Sequence, residues 1–164
     1  VEGGVGFGLR HVGMHAVNSL RMEKAYRHWG HDITNEETPL ESGLGFAVAW
    51  DKAGGFIGRD ALVRQRSAGI SQRLVQFILT DPEPLLYHNE PVYRDGEIVG
   101  YITSGMYGHA LGGAVGLGYV KFPDGTDADF VNTGKFEIEV VGVKYPAQAS
   151  LRPLYDPKNT RIRA

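Results

Sequence analysis

The chain has 164 residues, the size of one domain or of one small domain with a piece of another attached. Its formal net charge of -2 at pH 7 gives no reason to expect a nucleic acid or an anionic membrane as a partner. Cysteine is absent, which excludes disulfides, thiolate nucleophiles and cysteine metal ligands, and no apolar run is long enough to cross a bilayer. Because the chain begins at Val1 without a methionine, we expect it to be a fragment of a longer protein.

The first quarter of the chain predicts one helix, a polar loop and a strand. Glycine-rich residues 1–13 predict a turn leading into a helix, because their spacing is not that of a dinucleotide-binding loop. Apolar residues near helical spacing predict a helix over Met14–Trp29, which Gly30 would end in a left-handed conformation. An acidic loop over 31–42 follows, and Leu44–Trp50 predicts a short strand.

The rest of the chain predicts one more helix and then several strands. The helix is expected from Gly58 or Arg59 to about Ala68, with Gly69 ending it. Beyond it the apolar pattern has a period of two, and Asp95-Gly96 predicts a type I′ hairpin turn. Many short strands separated by turns favour a closed barrel or a sandwich. The predicted strands are Arg73–Leu79, Val92–Arg94, Glu97–Val99, Tyr101–Ser104, Ala114–Val120, Lys135–Val141 and Lys144–Leu151.

Five segments carry a family resemblance: Ala16–Ile33, Thr38–Phe46, Phe56–Leu62, Gly96–Gly105 and Val115–Val120. In this order they resemble the end of the folate-binding domain of glycine-cleavage T-proteins and the barrel that follows it. The resemblance implies that residues 1–50 are the C-terminal part of a folate-binding domain with its linker, and that residues 51–164 are the C-terminal β-barrel domain. The expected fold class is therefore α+β and mainly β, an antiparallel barrel of about six strands preceded by one or two helices left from the folate-binding domain.

Within that superfamily, three segments are similar to the folate-linked sarcosine and dimethylglycine dehydrogenases: Glu23–Trp29, the tail from Asp129 to Ala149, and Asp156–Asn159. The resemblance implies tetrahydrofolate as the cofactor of the parent protein and FAD in a missing N-terminal domain. It also implies that the missing N-terminal portion of the same chain and small-molecule folate are the partners. The bacterial cytoplasm or the mitochondrial matrix would suit such a protein.

Two alternatives to a dehydrogenase stay open. The first is a fragment of a T-protein proper, an aminomethyltransferase; Val17 argues against it, because T-proteins usually carry an arginine in that place of the Arg-Asp-Ser-Leu-Arg pattern. The second is a stand-alone binding module that kept the fold and lost the chemistry. The fragment alone is expected not to be catalytic, and a parent protein is expected to be an oxidoreductase or an aminomethyltransferase.

Four residues are candidates for binding the cofactor. Arg21 and Arg152 would offer charge-assisted hydrogen bonds to folate carboxylates, with surface or interface salt bridges as the alternative. Tyr107 and Tyr155 are chosen because the family folds their loop and tail towards the ligand cleft, whereas ordinary half-buried packing is the alternative.

We predict no catalytic residue and no metal site. His11 and His15 have the spacing of a helical ligand pair but lack a third ligand, so an exposed polar face is the expectation. Thr103 and Ser104 are expected to form a turn, since no nucleophile elbow surrounds Ser104. Glu41 is expected to pair with an arginine at the domain junction.

A cluster of His28, His31 and Asp32 is expected at the end of the first helix, where the helix dipole favours a cationic histidine. Helix capping and loop anchoring are the expected roles. Contact with a ligand is the alternative.

Overall fold

A closed six-stranded barrel forms most of the computed structural model, which describes residues 1–163. All neighbouring strands are antiparallel, and their order around the barrel is β1-β4-β3-β2-β5-β6. This confirms the predicted α+β, mainly β fold with a six-stranded antiparallel barrel. The strands are β1 (Gln72–Leu79), β2 (Pro91–Arg94), β3 (Glu97–Gly108), β4 (Gly113–Lys121), β5 (Phe136–Val140) and β6 (Val143–Ser150).

The turn between β2 and β3 has the chemistry that the sequence predicts. Asp95 and Gly96 both have positive φ angles, 52° and 91°, as a type I′ turn requires. The two predicted strands after the turn are joined into one twelve-residue strand, β3. A shift in its register against β4 between Ile102 and Ser104 leaves Thr103 as an extra, bulged residue.

Two apolar clusters stabilise this architecture. One fills the barrel interior and includes Phe77, Val92, Ile102 and Ile138, all fully buried. The other lies outside the barrel wall, where Met22 packs against residues of β1 and β4 such as Leu74, Val115 and Leu117. Burial of this second cluster fixes the first helix on the outer face of the barrel.

The chain has three α-helices within residues 1–163: α1 (Met14–Glu23), α2 (Arg59–Ala68) and α3 (Ala128–Thr133). Helix α2 has the predicted bounds and ends at Gly69. None of the helices described here is both long and apolar enough to cross a bilayer.

The predicted end of α1 is wrong, because the helix stops at Glu23 and not near Trp29. Ala25 takes the left-handed conformation with φ 53°. Its N–H donates to the Met22 carbonyl, and the Tyr26 N–H donates to the Arg21 carbonyl, which together form a Schellman motif. Tertiary contacts determine where α1 ends, because the side chain of Glu23 accepts a hydrogen bond from the Ala110 N–H on a barrel loop.

The strand predicted over Leu44–Trp50 is also wrong. A 3₁₀ turn, Gly45–Ala47, occupies its centre. The Leu44 N–H donates to the Pro39 carbonyl, so the chain curls back on itself. A closed barrel has no free strand edge, and this segment therefore has no partner with which to form a ladder.

Candidate functional site

A polar cleft of about 820 Å³ lies between α1, the loop 28–37, residues 87–89 and the outer face of β3 and β4. Its volume is in the range of small-molecule sites. We call it the polar cleft; the lining residues used below are Arg21, His28, His31, Thr34, Glu37, Tyr87, His88, Tyr101, Thr103, Ser104 and Tyr119.

Arg21 of α1 is held at the base of this cleft by an ion pair with Asp32. Its Nη1 donates to Asp32 Oδ2 at 2.9 Å, and the Asp32 side chain is 0% exposed. The Nε atom donates to Asn18 Oδ1 at 3.0 Å, and Nη2 donates to Ser104 Oγ at 3.1 Å. With each nitrogen bonded, the guanidinium has one orientation in the cleft.

The bulge in β3 brings Thr103 to the same carboxylate. Thr103 Oγ1 donates to Asp32 Oδ1 at 2.6 Å, while the His28 N–H donates to Asp32 Oδ2 at 2.8 Å. A bulge re-aims one side chain relative to a regular strand, and here it lets both Thr103 and the adjacent Ser104 face the polar cleft. Asp32 thus joins α1, the loop and the barrel wall.

Tyr119 on β4 completes the base of the cleft. Its hydroxyl donates to the Asp32 carbonyl at 2.9 Å, and its side chain is buried. Burial raises the pKa of the Tyr119 phenol well above its ordinary value, and the carboxylates of Glu37, Asp32 and Glu41 raise it further. The phenol is therefore a neutral hydrogen-bond donor at physiological pH.

The rim of the cleft carries exposed aromatic rings. Tyr87 is 59% exposed and Tyr101 is 48% exposed, in contrast to the buried Tyr119. The His28 and His31 rings stack with their centroids 4.7 Å apart. These rings offer flat apolar faces to a planar ligand.

One carboxylate of the acidic loop is ordered at the rim. Burial alone would raise the pKa of the Glu37 carboxyl, but hydrogen bonds from Thr34 Oγ1 at 2.7 Å and Thr34 N at 2.8 Å outweigh it and lower that pKa below its ordinary value. Glu37 therefore stays ionised and contributes negative charge to the cleft.

The structure does not bring the four candidate cofactor-binding residues together. Arg21 lies in the polar cleft. Tyr107 lies on β3 with its ring edge against His109, and Arg152 is exposed after β6. Tyr155 lies in the tail, where its hydroxyl accepts from Arg161. The ion pair of Arg21 with Asp32 lies within residues 1–50 and does not cross to the barrel.

His11 and His15 are both exposed, as expected, although His11 precedes α1 and does not share a helix face with His15. Two smaller predictions need correction. Thr103 and Ser104 lie within β3 and not in a turn. The Glu41 carboxylate accepts from Thr38 N and Oγ1 at 2.8 and 2.9 Å and makes no ion pair with an arginine of residues 1–163.

The histidine and aspartate cluster does not lie at a helix end, because α1 stops at Glu23. The expected loop anchoring is present nevertheless, through the bond from the His28 N–H to Asp32. The sequence did not identify Thr103 and Tyr119 as partners of Asp32. Only the bulge and the burial of β4 create those contacts, and neither leaves a local sequence signal.

Comparisons with known proteins agree with this architecture. A family model described as the glycine cleavage T-protein C-terminal barrel domain matches residues 72–156, and one described as the GCVT N-terminal domain matches residues 1–52. The crystal structure of glycine cleavage system aminomethyltransferase T from Bartonella henselae superposes with a TM-score of 0.75 at 27% identity, over 89% of this chain and 40% of that one.

Two curated relatives cover almost the whole chain. It is 46% identical over 162 residues to a 4-methylaminobutanoate oxidase (formaldehyde-forming) from Paenarthrobacter nicotinovorans, over 99% of this chain and 19% of that protein. It is 38% identical over 162 residues to human mitochondrial sarcosine dehydrogenase, over 98% of this chain and 18% of that protein. The chain therefore spans less than a fifth of the length of either relative.

Proposed function

The chain belongs to the glycine cleavage T-protein family, and on this premise we propose that its polar cleft forms one wall of a tetrahydrofolate site in a one-carbon enzyme. The observation that carries the proposal is the cleft itself, with its fixed cation and exposed aromatic rings. The family relationship supplies the expected cofactor.

The residues of the cleft fit such a cofactor. Folate contains a flat pterin ring and an aminobenzoyl ring, and the exposed faces of Tyr87 and Tyr101 suit stacking against rings of this kind. Arg21 suits a carbonyl oxygen of the cofactor, because Asp32 and Ser104 already fix its orientation. We propose Tyr87, Tyr101 and Arg21 as the binding residues that this chain contributes. Tyr107, Arg152 and Tyr155 are not among the residues that line the polar cleft, and we assign them no part in it.

When bound, tetrahydrofolate would supply the nitrogen atoms that capture a one-carbon unit. The work proposed for this chain is to bind and orient the cofactor and to exclude water from one side of it. No catalytic role is assigned to a residue of the chain. In this proposal residues 1–50 belong to the folate-binding domain and residues 51–164 form the barrel domain, and the ranges of the two family models support that division.

We place the parent protein in the branch of sarcosine and dimethylglycine dehydrogenases. Support comes from the identities of 46% to a 4-methylaminobutanoate oxidase and 38% to a sarcosine dehydrogenase, whose names describe methylamine substrates. In that branch FAD would be bound by an N-terminal portion of the protein, which is the proposed partner of this chain. One relative is bacterial and the other is named as mitochondrial, so we propose the bacterial cytoplasm or the mitochondrial matrix as the location.

The alternative in which the parent is an aminomethyltransferase is favoured by the structural match to that enzyme at a TM-score of 0.75. A stand-alone binding module is the remaining alternative. The DNA sequence preceding the codon for Val1 tests the dehydrogenase assignment against these alternatives. A reading frame that continues into a flavin-binding glycine motif supports the dehydrogenase, whereas a start codon adjacent to Val1 contradicts it.

Isothermal titration calorimetry with tetrahydrofolate, under anaerobic reducing conditions, tests whether this chain holds only part of the folate site. Because this chain is proposed to supply one wall only, we expect weak binding, with a Kd on the order of 1 mM. Binding in the micromolar range would contradict the proposal, since it would require a complete site within these residues.

A further inference from the structure

A second cavity, of about 470 Å³, is lined by Arg27 and shares no lining residue with the polar cleft. It is bounded by the end of α1, residues 43–46, the outer face of β1 and β4, and the tail after β6. We call it the tail cavity. The lining residues that matter here are Lys24, Arg27, Leu44, Leu74, Leu151 and Arg152.

The charges around the tail cavity are unbalanced. Lys24, Arg27 and Arg152 line it, and no aspartate or glutamate among the described residues does so. Lys24 is neutralised, because its Nζ lies 3.5 Å from Asp156 Oδ2 and donates to Asn159 Oδ1 at 2.7 Å. The two arginines make no ion pair within residues 1–163.

Arg27 is the more buried of the two arginines. It donates only to backbone carbonyls: Nε to Ser42 at 3.0 Å, Nη1 to Ala25 at 2.8 Å and Nη2 to Gly43 at 3.4 Å. Carbonyl oxygens carry partial charges, so they orient the guanidinium without neutralising it. Burial lowers the pKa of Arg27 from its ordinary value, against the raising effects of Tyr119 and Asp32, which is consistent with a cation that lacks a full counter-charge.

Much of the remaining cavity wall is apolar. Leu44, Leu74 and Leu151 contribute to it, and Pro153 and Pro157 stiffen the tail that closes it. An anion that is fully hydrated would gain little from such a wall. An anion with a hydrocarbon or aromatic body would gain from both the cations and the apolar part of the wall.

We propose that the tail cavity binds a small organic monocarboxylate, with its carboxylate towards Arg27 and Arg152 and its apolar body against the leucines. The polar cleft carries Glu36 and Glu37 in its lining and would disfavour the same ligand. The tail cavity is therefore a separate site, and the proposal stands independently of the folate site.

Sodium benzoate is the probe, with benzamide as its neutral counterpart of the same shape, and binding is followed by ¹H–¹⁵N NMR at constant ionic strength. We expect benzoate to shift the amide signals of Gly43, Leu44 and Leu151 to saturation. Benzamide should bind at least about fivefold more weakly, because it cannot form charge-assisted hydrogen bonds. Acetate should also bind more weakly than benzoate, because it lacks the apolar body.

Variants locate the site. R152Q changes an exposed side chain and should leave the fold intact while weakening benzoate binding about fivefold. R64Q, an exposed arginine on α2, is the matched control and should bind benzoate like the wild type. R27K retains the positive charge of the more buried side chain but removes its guanidinium group. It therefore tests whether the guanidinium itself is needed to bind benzoate. Equal binding of benzoate and benzamide, unchanged affinity in both R152Q and R27K, or shifts confined to the polar cleft would each overturn the proposal.

Discussion

Asp32 connects three parts of the protein through a single buried side chain. Its two carboxylate oxygens accept hydrogen bonds from Arg21, the His28 N–H and Thr103, and its carbonyl accepts one from Tyr119. A buried ion pair is not in itself proof of stability, but removing one partner leaves the other charge uncompensated. The cleft geometry therefore depends on Asp32 more than on any one of its partners.

Replacing Asp32 with asparagine should destabilise the protein by about 3 kcal/mol. Asparagine keeps the shape and one acceptor, so the loss reports the charge that compensates Arg21. Urea unfolding at pH 7 measures it. D95N is the matched control: Asp95 pairs with Arg94 at 2.7 Å but its side chain is 48% exposed, so the change should cost less than about 1 kcal/mol. Equal effects of the two substitutions would contradict this account of Asp32.

Tyr119 should make the stability of the protein fall at alkaline pH. Its pKa is raised in the folded state, chiefly by burial, whereas the unfolded chain ionises near its ordinary value of 10.0. The stabilising contribution is thus complete below pH 10 and is lost as the pH rises from there through the folded-state pKa, by at most about 1.4 kcal/mol per pH unit.

The Y119F variant tests this pH dependence. At pH 7 it should be less stable by about 1 kcal/mol, because the hydrogen bond to the Asp32 carbonyl is lost. Above pH 10 its stability should fall less steeply than that of the wild type. Unfolding by urea at several pH values between 8 and 11 gives both slopes. Parallel slopes would contradict the assigned role of Tyr119.

At the scale of elements, β3 is the strand that shapes the cleft. Its bulge turns Thr103 towards the polar cleft. Two residues further on, Gly105 allows the backbone of Leu86 and Tyr87 to approach the strand closely. A Cβ atom at Gly105 would lie 2.5 Å from the Leu86 carbonyl oxygen and 2.6 Å from the Tyr87 nitrogen. Only glycine permits this approach, which places the Tyr87 ring beside the cleft.

Replacing Gly105 with alanine should therefore be strongly destabilising, by about 3 kcal/mol, since the added methyl group collides with backbone atoms that cannot rotate away. Gly6 is the matched control, because a Cβ there meets nothing within 4 Å and its φ is not positive. G6A should change stability by less than about 0.5 kcal/mol. Thermal unfolding of both variants provides the comparison, and a neutral G105A would show that the close approach is not required.

The barrel strands were predictable because local signals and tertiary structure agree there. The Asp95-Gly96 turn specifies the pairing of β2 with β3 without help from distant residues. The bounds of α2 follow in the same way from Gly58 and Gly69. The family motifs added the order of the elements, which periodicity alone does not give.

The errors occur where distant contacts override local pattern. Helix α1 ends early because Glu23 binds a barrel loop and Ala25 takes a left-handed conformation that alanine does not ordinarily favour. Residues 44–50 have a strand-like composition but no edge with which to pair. The sequence could not predict the contacts of Asp32 with Thr103 and Tyr119 for the same reason, since these two residues are 71 and 87 positions away from it.

At the scale of the whole molecule, the polar cleft is bordered by an apolar surface. Met14, Val17 and Leu20 on α1 are all exposed, although they recur at the spacing of one helix face. Helix α2 has no buried residue. Exposed apolar faces of this extent agree with the proposal that other parts of a longer protein cover α1 and complete the cleft.

A titration of ¹⁵N-labelled protein with tetrahydrofolate, followed by NMR under reducing conditions, tests the proposed wall of a folate site most directly. We predict weak but saturable shifts at Arg21, Tyr87 and Tyr101. These shifts should be lost in Y101A and kept in I98A, which alters an exposed residue of the same strand outside the cleft. Shifts confined to other surfaces, or identical titrations of Y101A and I98A, would contradict the assignment of the polar cleft to folate.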